Sequence, residues 1–267
     1  MDNVKIGFIG CGNMGSAIAT RVAVNQRYEV YVSDYSSEIA ISLASKIGGS
    51  SETNYGIAEL CDYIFLAVKP QVIASVIDEI APVLKSRKDK PVIISMAAGV
   101  SIERIKKLAG NLPVIRIMPN TAVAVGSGMI VYALTEDVSE RSLSQFTEFM
   151  SRCGKLDRIS EDKIDAATAI HGCGPAYVYM FANAMADAGV ANGLTRSQAL
   201  EYSAQTLIGA AKMILESGKH PMELKDNVCS PGGSTIAGVL TLDEFCFNAA
   251  VESEVNAAYE RTMELGK

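Results

Sequence analysis

Five short apolar runs, at residues 4–9, 28–32, 63–68, 92–96 and 114–118, alternate with helical patterns at 14–25, 36–47, 71–84 and 101–108. The runs are apolar along nearly their whole length, not at every second position, so both of their faces must be covered. That alternation favours one architecture above others, a parallel sheet wound with helices on both sides. The punctuation agrees: the Gly48-Gly49 pair ends the second helix, and Pro70 stands just before the third. Runs at 129–134 and 155–159 predict two more strands at the far edge of the sheet.

Near residue 160 the pattern changes. Helical patterns follow at 162–170, 176–191, 196–217, 221–228, 234–240 and 243–265, with no convincing strand among them. The expected fold class is α/β, with an N-terminal Rossmann, doubly wound sheet over residues 1–160 and an all-α domain over 161–267. The later helices are rich in small residues, such as Ala182, Ala184, Ala186 and Ala188, then Gly209, Ala210 and Ala211. Small side chains let helices approach closely. Ordinary packing within the domain accounts for this plainly. A short helical domain with so many apolar faces buries them more readily against a second copy, so a helical dimer interface is expected.

Composition narrows the function. Lys plus Arg is 24 against 30 Asp plus Glu, a net charge of −6, which supplies no basic footprint for nucleic acid or an anionic membrane. Stretches 117–135 and 166–186 carry no charged residue, but Pro119, Gly126 and Gly128 interrupt the first, and Gly172, Gly174 and Pro175 the second. Both are expected to be deeply buried, in a core or a subunit interface, and not to span a membrane. The six cysteines show no CxxC spacing and the two histidines no clustering. The expectation is a reduced, cytoplasmic protein with no metal site. The N-terminal segment lacks the long apolar region of a secretory signal.

Gly10-Cys11-Gly12-Asn13-Met14-Gly15 is a GxGxxG pattern. Its setting, after a strand and opening a helix, is the one a dinucleotide fingerprint requires. Gly10 allows the tight turn, Gly12 lets backbone approach a pyrophosphate, and Gly15 lets helix and strand pack closely. The helix N-terminus then offers N–H donors and positive dipole to phosphate. The second strand ends at Ser33-Asp34, where a carboxylate accepts from the adenosine ribose hydroxyls and repels a 2′-phosphate. No Arg or Lys follows within residues 33–45, so NADH is favoured over NADPH, although Ser33, Ser36 and Ser37 can still hydrogen-bond a phosphate. Lys69, beside Pro70 at a strand end, faces the expected cofactor crevice, and the small residues of Met96-Ala97-Ala98-Gly99 leave room for a nicotinamide ring. In the helical half, Ser230-Pro231-Gly232-Gly233-Ser234-Thr235 has the look of an anion cradle for a small carboxylate. It reads equally well as a helix–helix turn with Ser234 as N-cap.

Taken together, GCGNMG, AVKPQ, MAAG, MPNTA, GCGPAY and above all LKDNVCSPGGSTIAGVLTLDE resemble the pyrroline-5-carboxylate reductase family, over essentially the whole chain. The resemblance implies reduction of the C=N bond of L-1-pyrroline-5-carboxylate to L-proline by NADPH or NADH. It implies a helical dimerisation domain, dimers that assemble into decamers, and a substrate loop of one subunit that completes the site of its mate. Carried over by position, cofactor contacts come from Ile9, Gly10, Cys11, Gly12, Asn13 and Met14, and from Asp34, Ser36 and Asn54. Further contacts come from Ala67, Val68, Lys69 and Pro70, and from Ala97 and Ala98, while Asn227 lies between cofactor and substrate. Substrate contacts come from Glu161, Ser234 and Thr235, with Gly232 and Gly233 lending backbone donors. Two positions depart from the family: Cys173 stands where Ser is usual, and Asp34 where many members have a small hydroxyl residue, which puts NADPH preference in doubt.

An iminium is already electrophilic, so catalysis of its reduction is mostly positioning. The Thr235 hydroxyl is the expected catalytic group, hydrogen-bonding the ring nitrogen and helping to keep it protonated. His171 is read as a structural histidine, because an iminium needs no strong general acid. Cys173 is not needed as a nucleophile, since hydride transfer has no covalent step. Two other readings explain the N-terminal half equally well: a Rossmann oxidoreductase of hydroxy acids and a non-catalytic nucleotide sensor. Neither has a use for residues 230–235.

Overall fold

The computed structural model describes residues 3–265. The chain divides into two compact units. One is Met1–Gly172 together with the chain from Tyr259 onward, and the other is Cys173–Ala258.

The first unit is built on an eight-stranded sheet. Its strands are β1 (Val4–Ile9), β2 (Tyr28–Ser33), β3 (Ser50–Ser51), β4 (Tyr63–Leu66), β5 (Val92–Ser95), β6 (Val114–Pro119), β7 (Gly128–Leu134) and β8 (Gly154–Arg158), in the spatial order β3-β2-β1-β4-β5-β6-β7-β8. The order reverses between β1 and β4, which opens a crevice at the carboxyl ends of those two strands. All neighbours are parallel except β6 and β7. The five expected parallel strands are parallel, and the antiparallel pair joins them to the far-edge strands, whose direction the sequence left open. The link between β6 and β7 is a short 3-10 turn, Thr121–Val125, closed by Gly126 at φ 73°, and a parallel crossover needs about a dozen residues or more.

Both faces of the sheet are covered. Helices α1 (Asn13–Ala23), α2 (Ser37–Ile47) and α6 (Glu140–Met150) bury Ile18, Val22, Leu43, Phe146 and Phe149 on one face, against Phe8, Val32, Phe65 and Ile117. Helices α3 (Asn54–Leu60), α4 (Ile73–Ser86) and α5 (Ile102–Ala109) bury Ile57, Ile77, Ile80 and Ile105 on the other, against Ile64, Leu66 and Ile93. Phe8 and Phe65 stack with centroids 4.3 Å apart, and Phe149 meets Phe65 edge-on. Each such fully buried ring contributes about 2–3 kcal/mol by apolar burial.

Two helices were not foreseen. Short α3 depends on its cap: the Gly56 amide donates to Thr53 Oγ1 at 3.0 Å. Likewise α6 is started by Ser139, which accepts from the Ser142 amide at 3.1 Å, and its apolar positions Phe146, Phe149 and Met150 are buried at helical spacing.

Between the sheet and the second unit, the expected continuous helix at 162–170 is broken. A 3-10 turn at Glu161–Lys163 leads into α7 (Ile164–Ala167) and then a π-helical turn, Thr168–Gly172. The second unit comprises α8 (Gly174–Ala191), α9 (Arg196–Ser217), α10 (Pro221–Val228), α11 (Ser234–Glu244) and the first part of α12 (Phe247–Leu265). Helix α9 opens on a capping box between Thr195 and Gln198. Helices α8 and α9 approach closely where a Cβ on Gly189 would stand 3.1 Å from Ala199 Cβ, so the small residues there are used for packing inside the unit.

Deep burial of residues 166–186 does not hold in the single chain. Within α8 only Ala186 is fully buried, while Tyr179 and Met180 are 65% and 73% exposed. On α9, Leu215 is 74% exposed. A helix apolar on most of its faces needs more partners than this unit supplies. No helix among the described residues is long and apolar enough to cross a membrane.

Candidate active site

The three glycines of the first turn do different work. Gly10 has φ 106°, and a Cβ on it would stand 2.5 Å from the Ala67 carbonyl oxygen. A Cβ on Gly15 would collide with the Gly10 carbonyl oxygen and stand 2.9 Å from Ala67 Cβ. Protein packing explains both. Gly12 is different: it is the N-cap of α1 in ordinary extended geometry, and a Cβ there would meet nothing within 4 Å. Its missing side chain keeps open space in front of the helix N-terminus. Among the described residues the amides of Asn13 and Met14 have no backbone partner, the first such bond being Ser16 to Gly12. An anionic group fits this cradle, and the residues present fit the diphosphate of a dinucleotide.

A cleft of about 500 Å3 opens from that cradle. Of the expected residues it is lined by Ile9, Gly10, Gly12, Asp34, Asn54, Ala67, Val68 and Lys69. Asp34 is tied into the turn: Oδ2 accepts from the Cys11 amide at 2.7 Å and Oδ1 from the Ser36 amide at 3.1 Å. Each oxygen keeps a further acceptor site for a ribose hydroxyl. Ser36 is the N-cap of α2 but makes no side-chain cap, so its hydroxyl is uncommitted. Ser33 Oγ donates to Asn54 Oδ1, and Asn54 Nδ2 donates to Glu79 Oε2 at 2.8 Å. Lys69 lies exposed at the cleft and, among the described residues, has no ion pair.

Sequence reasoning missed the wall opposite. Val72, Ser75, Val76 and Glu79 also line the cleft. They stand at i, i+3, i+4 and i+7, one face of α4 and its N-cap, a signal that the spacing carries. Other expected residues lie outside the cleft lining. Cys11 presents only its amide, and burial, with the Asp34 charge second, pushes its thiol up to about 12. Pro70 opens a 3-10 turn, while Ala97 (buried) and Ala98 (exposed) follow β5.

A second cluster surrounds Glu161. Its Oε1 accepts from the Ile102 amide at 2.7 Å and from Arg116 Nη1 at 3.0 Å. Arg116 Nη2 also reaches Asp165 Oδ1 at 3.3 Å. Nearby, His171 Nδ1 lies 2.6 Å from the Ala167 carbonyl oxygen, and Nε2 lies 2.8 Å from that of Met118. Both ring nitrogens are occupied by backbone, which matches a structural histidine.

In the second unit, Gly232 takes φ 67° and Gly233 is the N-cap of α11. Ser234 is therefore the first residue of the helix and not its cap, as one reading of the loop had it. The reason is local: the Gly233 amide closes a turn onto the Ser230 carbonyl at 3.0 Å, and the chain turns helical one residue early. Among the described residues the amides of Ser234, Thr235 and Ile236 are without backbone partners, and no hydrogen bond is seen for the Ser234 or Thr235 hydroxyl. Asn227 is exposed in the last turn of α10.

The geometry has relatives. Residues 161–265 match the family description "Pyrroline-5-carboxylate reductase dimerisation", and residues 5–99 match "NADP oxidoreductase coenzyme F420-dependent". A pyrroline-5-carboxylate reductase of Escherichia coli is 38% identical over 98% of each chain. The chain belongs to the pyrroline-5-carboxylate reductase family. Among solved structures of that family, a Plasmodium falciparum protein described with NADP bound is 34% identical, with TM-score 0.89 over 100% of each chain. A Coxiella burnetii pyrroline-5-carboxylate reductase is 31% identical, with TM-score 0.89 over 99% of each chain. Membership accounts for the exposed apolar side chains of α8 and α9, because the matched segment is a dimerisation domain.

Proposed function

We propose that the chain reduces L-1-pyrroline-5-carboxylate to L-proline with NADH or NADPH, the last step of proline synthesis, in the cytoplasm. Residues 1–160 take the dinucleotide, and residues 161–267 take the substrate and a second copy. The observation that carries this reading is the start of α11, where three amides and two hydroxyls stand uncommitted behind two glycines. A small carboxylate is the ligand such a group of donors recognises. On this reading dimers assemble further into a decamer, and the substrate loop of one copy completes the site of its mate.

When bound, the reduced nicotinamide supplies the hydride. The α1 amides and Lys69 hold the diphosphate, and Asp34, Ser36 and Asn54 take the adenosine ribose. The Gly232, Ser234 and Thr235 amides and the Ser234 hydroxyl hold the substrate carboxylate, the Gly233 amide being spent on the Ser230 carbonyl, and the Thr235 hydroxyl keeps the proton on the ring nitrogen. Thr235→Ala should lower kcat on the order of 100-fold, the lower range for loss of a proton-positioning group, with the NADH dissociation constant unchanged. Unchanged turnover would remove Thr235 from the mechanism.

The first test follows loss of the reduced-nicotinamide absorbance with pyrroline-5-carboxylate and each cofactor in turn. Oxidation of neither cofactor would overturn the reading. NADH is expected to be the better donor, because both Asp34 and Glu79 put carboxylates in the cleft. Asp34→Ser should move the NADPH-to-NADH ratio of kcat/KM upward by roughly tenfold or more, since a like charge facing the 2′-phosphate is removed. Strong NADPH preference in the unaltered protein would refute this role for Asp34.

A further inference from the structure

We infer that Arg116 is a positioning residue for the reduction, acting through Glu161; this rests on the substrate role proposed above for Glu161. Strand β6 reads VIRIMP and is buried along its whole length. Arg116 is the one charged residue in it and is 4% exposed. Neighbours Ile115 and Ile117 face one core, so Arg116 faces the other way with Val114 and Met118, toward the side that carries α5 and α7.

Burying a guanidinium is costly unless it is fully paired, and this one is not. Nη1 holds Glu161 and Nη2 holds Asp165, but Nε is buried with no partner among the described residues. As a device for stability alone, that is poor, because an apolar side chain in a buried site commonly does as well or better. What the arrangement achieves is orientation. Arg116 and the Ile102 amide converge on the same oxygen, Oε1 of Glu161. Among the described residues Oε2 has no partner, and the Glu161 side chain is 31% exposed. The Ile102 amide opens α5 at the end of the loop from β5 that carries Ala97 and Ala98. The carboxylate is thus anchored by one oxygen to the cofactor half of the site and left with the other to face the positive charge of the protonated cyclic imine, whose single N–H is held by the Thr235 hydroxyl. A lysine cannot reproduce this, because only the planar fork of arginine holds two carboxylates in fixed directions.

The test is a double-mutant cycle on the full-length protein, with pyrroline-5-carboxylate varied at saturating NADH. R116K should lower kcat/KM for the imine on the order of 100-fold, the scale of a misplaced reacting partner, while NADH affinity by fluorescence titration stays within about twofold. In an E161Q background the same substitution should change nothing further, because its route to the substrate is already gone. D165N breaks the other ion pair of Arg116 without touching Glu161. It should lower Tm about as much as R116K does, yet leave kcat/KM within about threefold. Should R116K fail to fold, R116M/D165N removes the cation together with the surplus carboxylate and should show the same loss of kcat/KM. Additive effects of R116K and E161Q, a D165N as damaging as R116K, or an unimpaired R116M/D165N would each overturn the inference while leaving Glu161 in the site. A silent E161Q would take Glu161 out of the substrate site and overturn the inference with it.

Discussion

Gly15→Val is expected to weaken dinucleotide binding severely and to destabilise the first unit. The added Cβ collides with the Gly10 carbonyl oxygen and presses on Ala67 Cβ. Neither contact can yield cheaply. Gly10 is held by its own amide on the Ser33 carbonyl at 2.8 Å, and Ala67 by its amide on the Ile9 carbonyl at 2.8 Å. Helix α1 must therefore move away from the sheet, and the bond from the Cys11 amide to Asp34 goes with it. Overpacking of this kind costs about 1–3 kcal/mol of stability. The cradle in front of α1 loses its shape at the same time, so NADH affinity should fall by roughly 100-fold or more, equivalent to about 2.7 kcal/mol or above. Gly12→Val is the matched control. With nothing within 4 Å of its Cβ it should keep the Tm of the parent chain and still lose NADH binding, because the new side chain fills the space meant for the diphosphate. Thermal melts and fluorescence titrations of the pair separate the two roles. If Gly12→Val binds NADH normally, that space is not the diphosphate site.

Met180→Asp combined with Leu215→Asp is expected to leave a single-chain species with no measurable reductase activity. Both side chains are about three-quarters exposed in one chain, on α8 and α9 of the unit that belongs to the dimerisation family. Covering a side chain of this size contributes about 1.5–3 kcal/mol, and a two-fold interface counts each of them twice. A carboxylate in their place must instead be stripped of water with no partner, a cost of several kcal/mol. Light scattering should report the mass of one chain. NADH affinity should stay close to that of the parent, because the cradle and cleft lie wholly in the first unit. Retained NADH binding with lost turnover is the outcome that a substrate loop contributed by a second copy requires. A variant that is monomeric yet fully active would show that each chain carries a complete site.

Much of the fold is legible from short-range signals. Helices α9 and α10 fall on their expected residues, and α2 ends at Gly48 in the left-handed conformation. Errors gather where the controlling interaction is a single cap or a single turn. Helix α3 is started by the Thr53 hydroxyl and held by the burial of Ile57 and Ala58, and the antiparallel β7 follows from the few residues available between it and β6. The exposed face of α8 shows a different limit. A charge-free stretch announces that it will be covered, but hydropathy does not say whether the cover comes from the same chain or another.

What the residues determine unaided is local or periodic: the alternation of buried strands and helices, the glycine turn after β1, the change to an all-helical second half, and the motif set that marks the family. What tertiary structure alone decides is which distant side chains meet. Arg116 and Glu161 are 45 residues apart, Cys11 and Asp34 are 23 apart, and Asn54 and Glu79 are 25 apart. Each pairing depends on strand register and on which helix face turns inward, and a one-residue slip in a strand would send its side chain to the opposite face. Glycine positions follow the same division. All three glycines of the turn are visible in the sequence, but only the packing around them shows that Gly10 and Gly15 serve the fold while Gly12 keeps a space open.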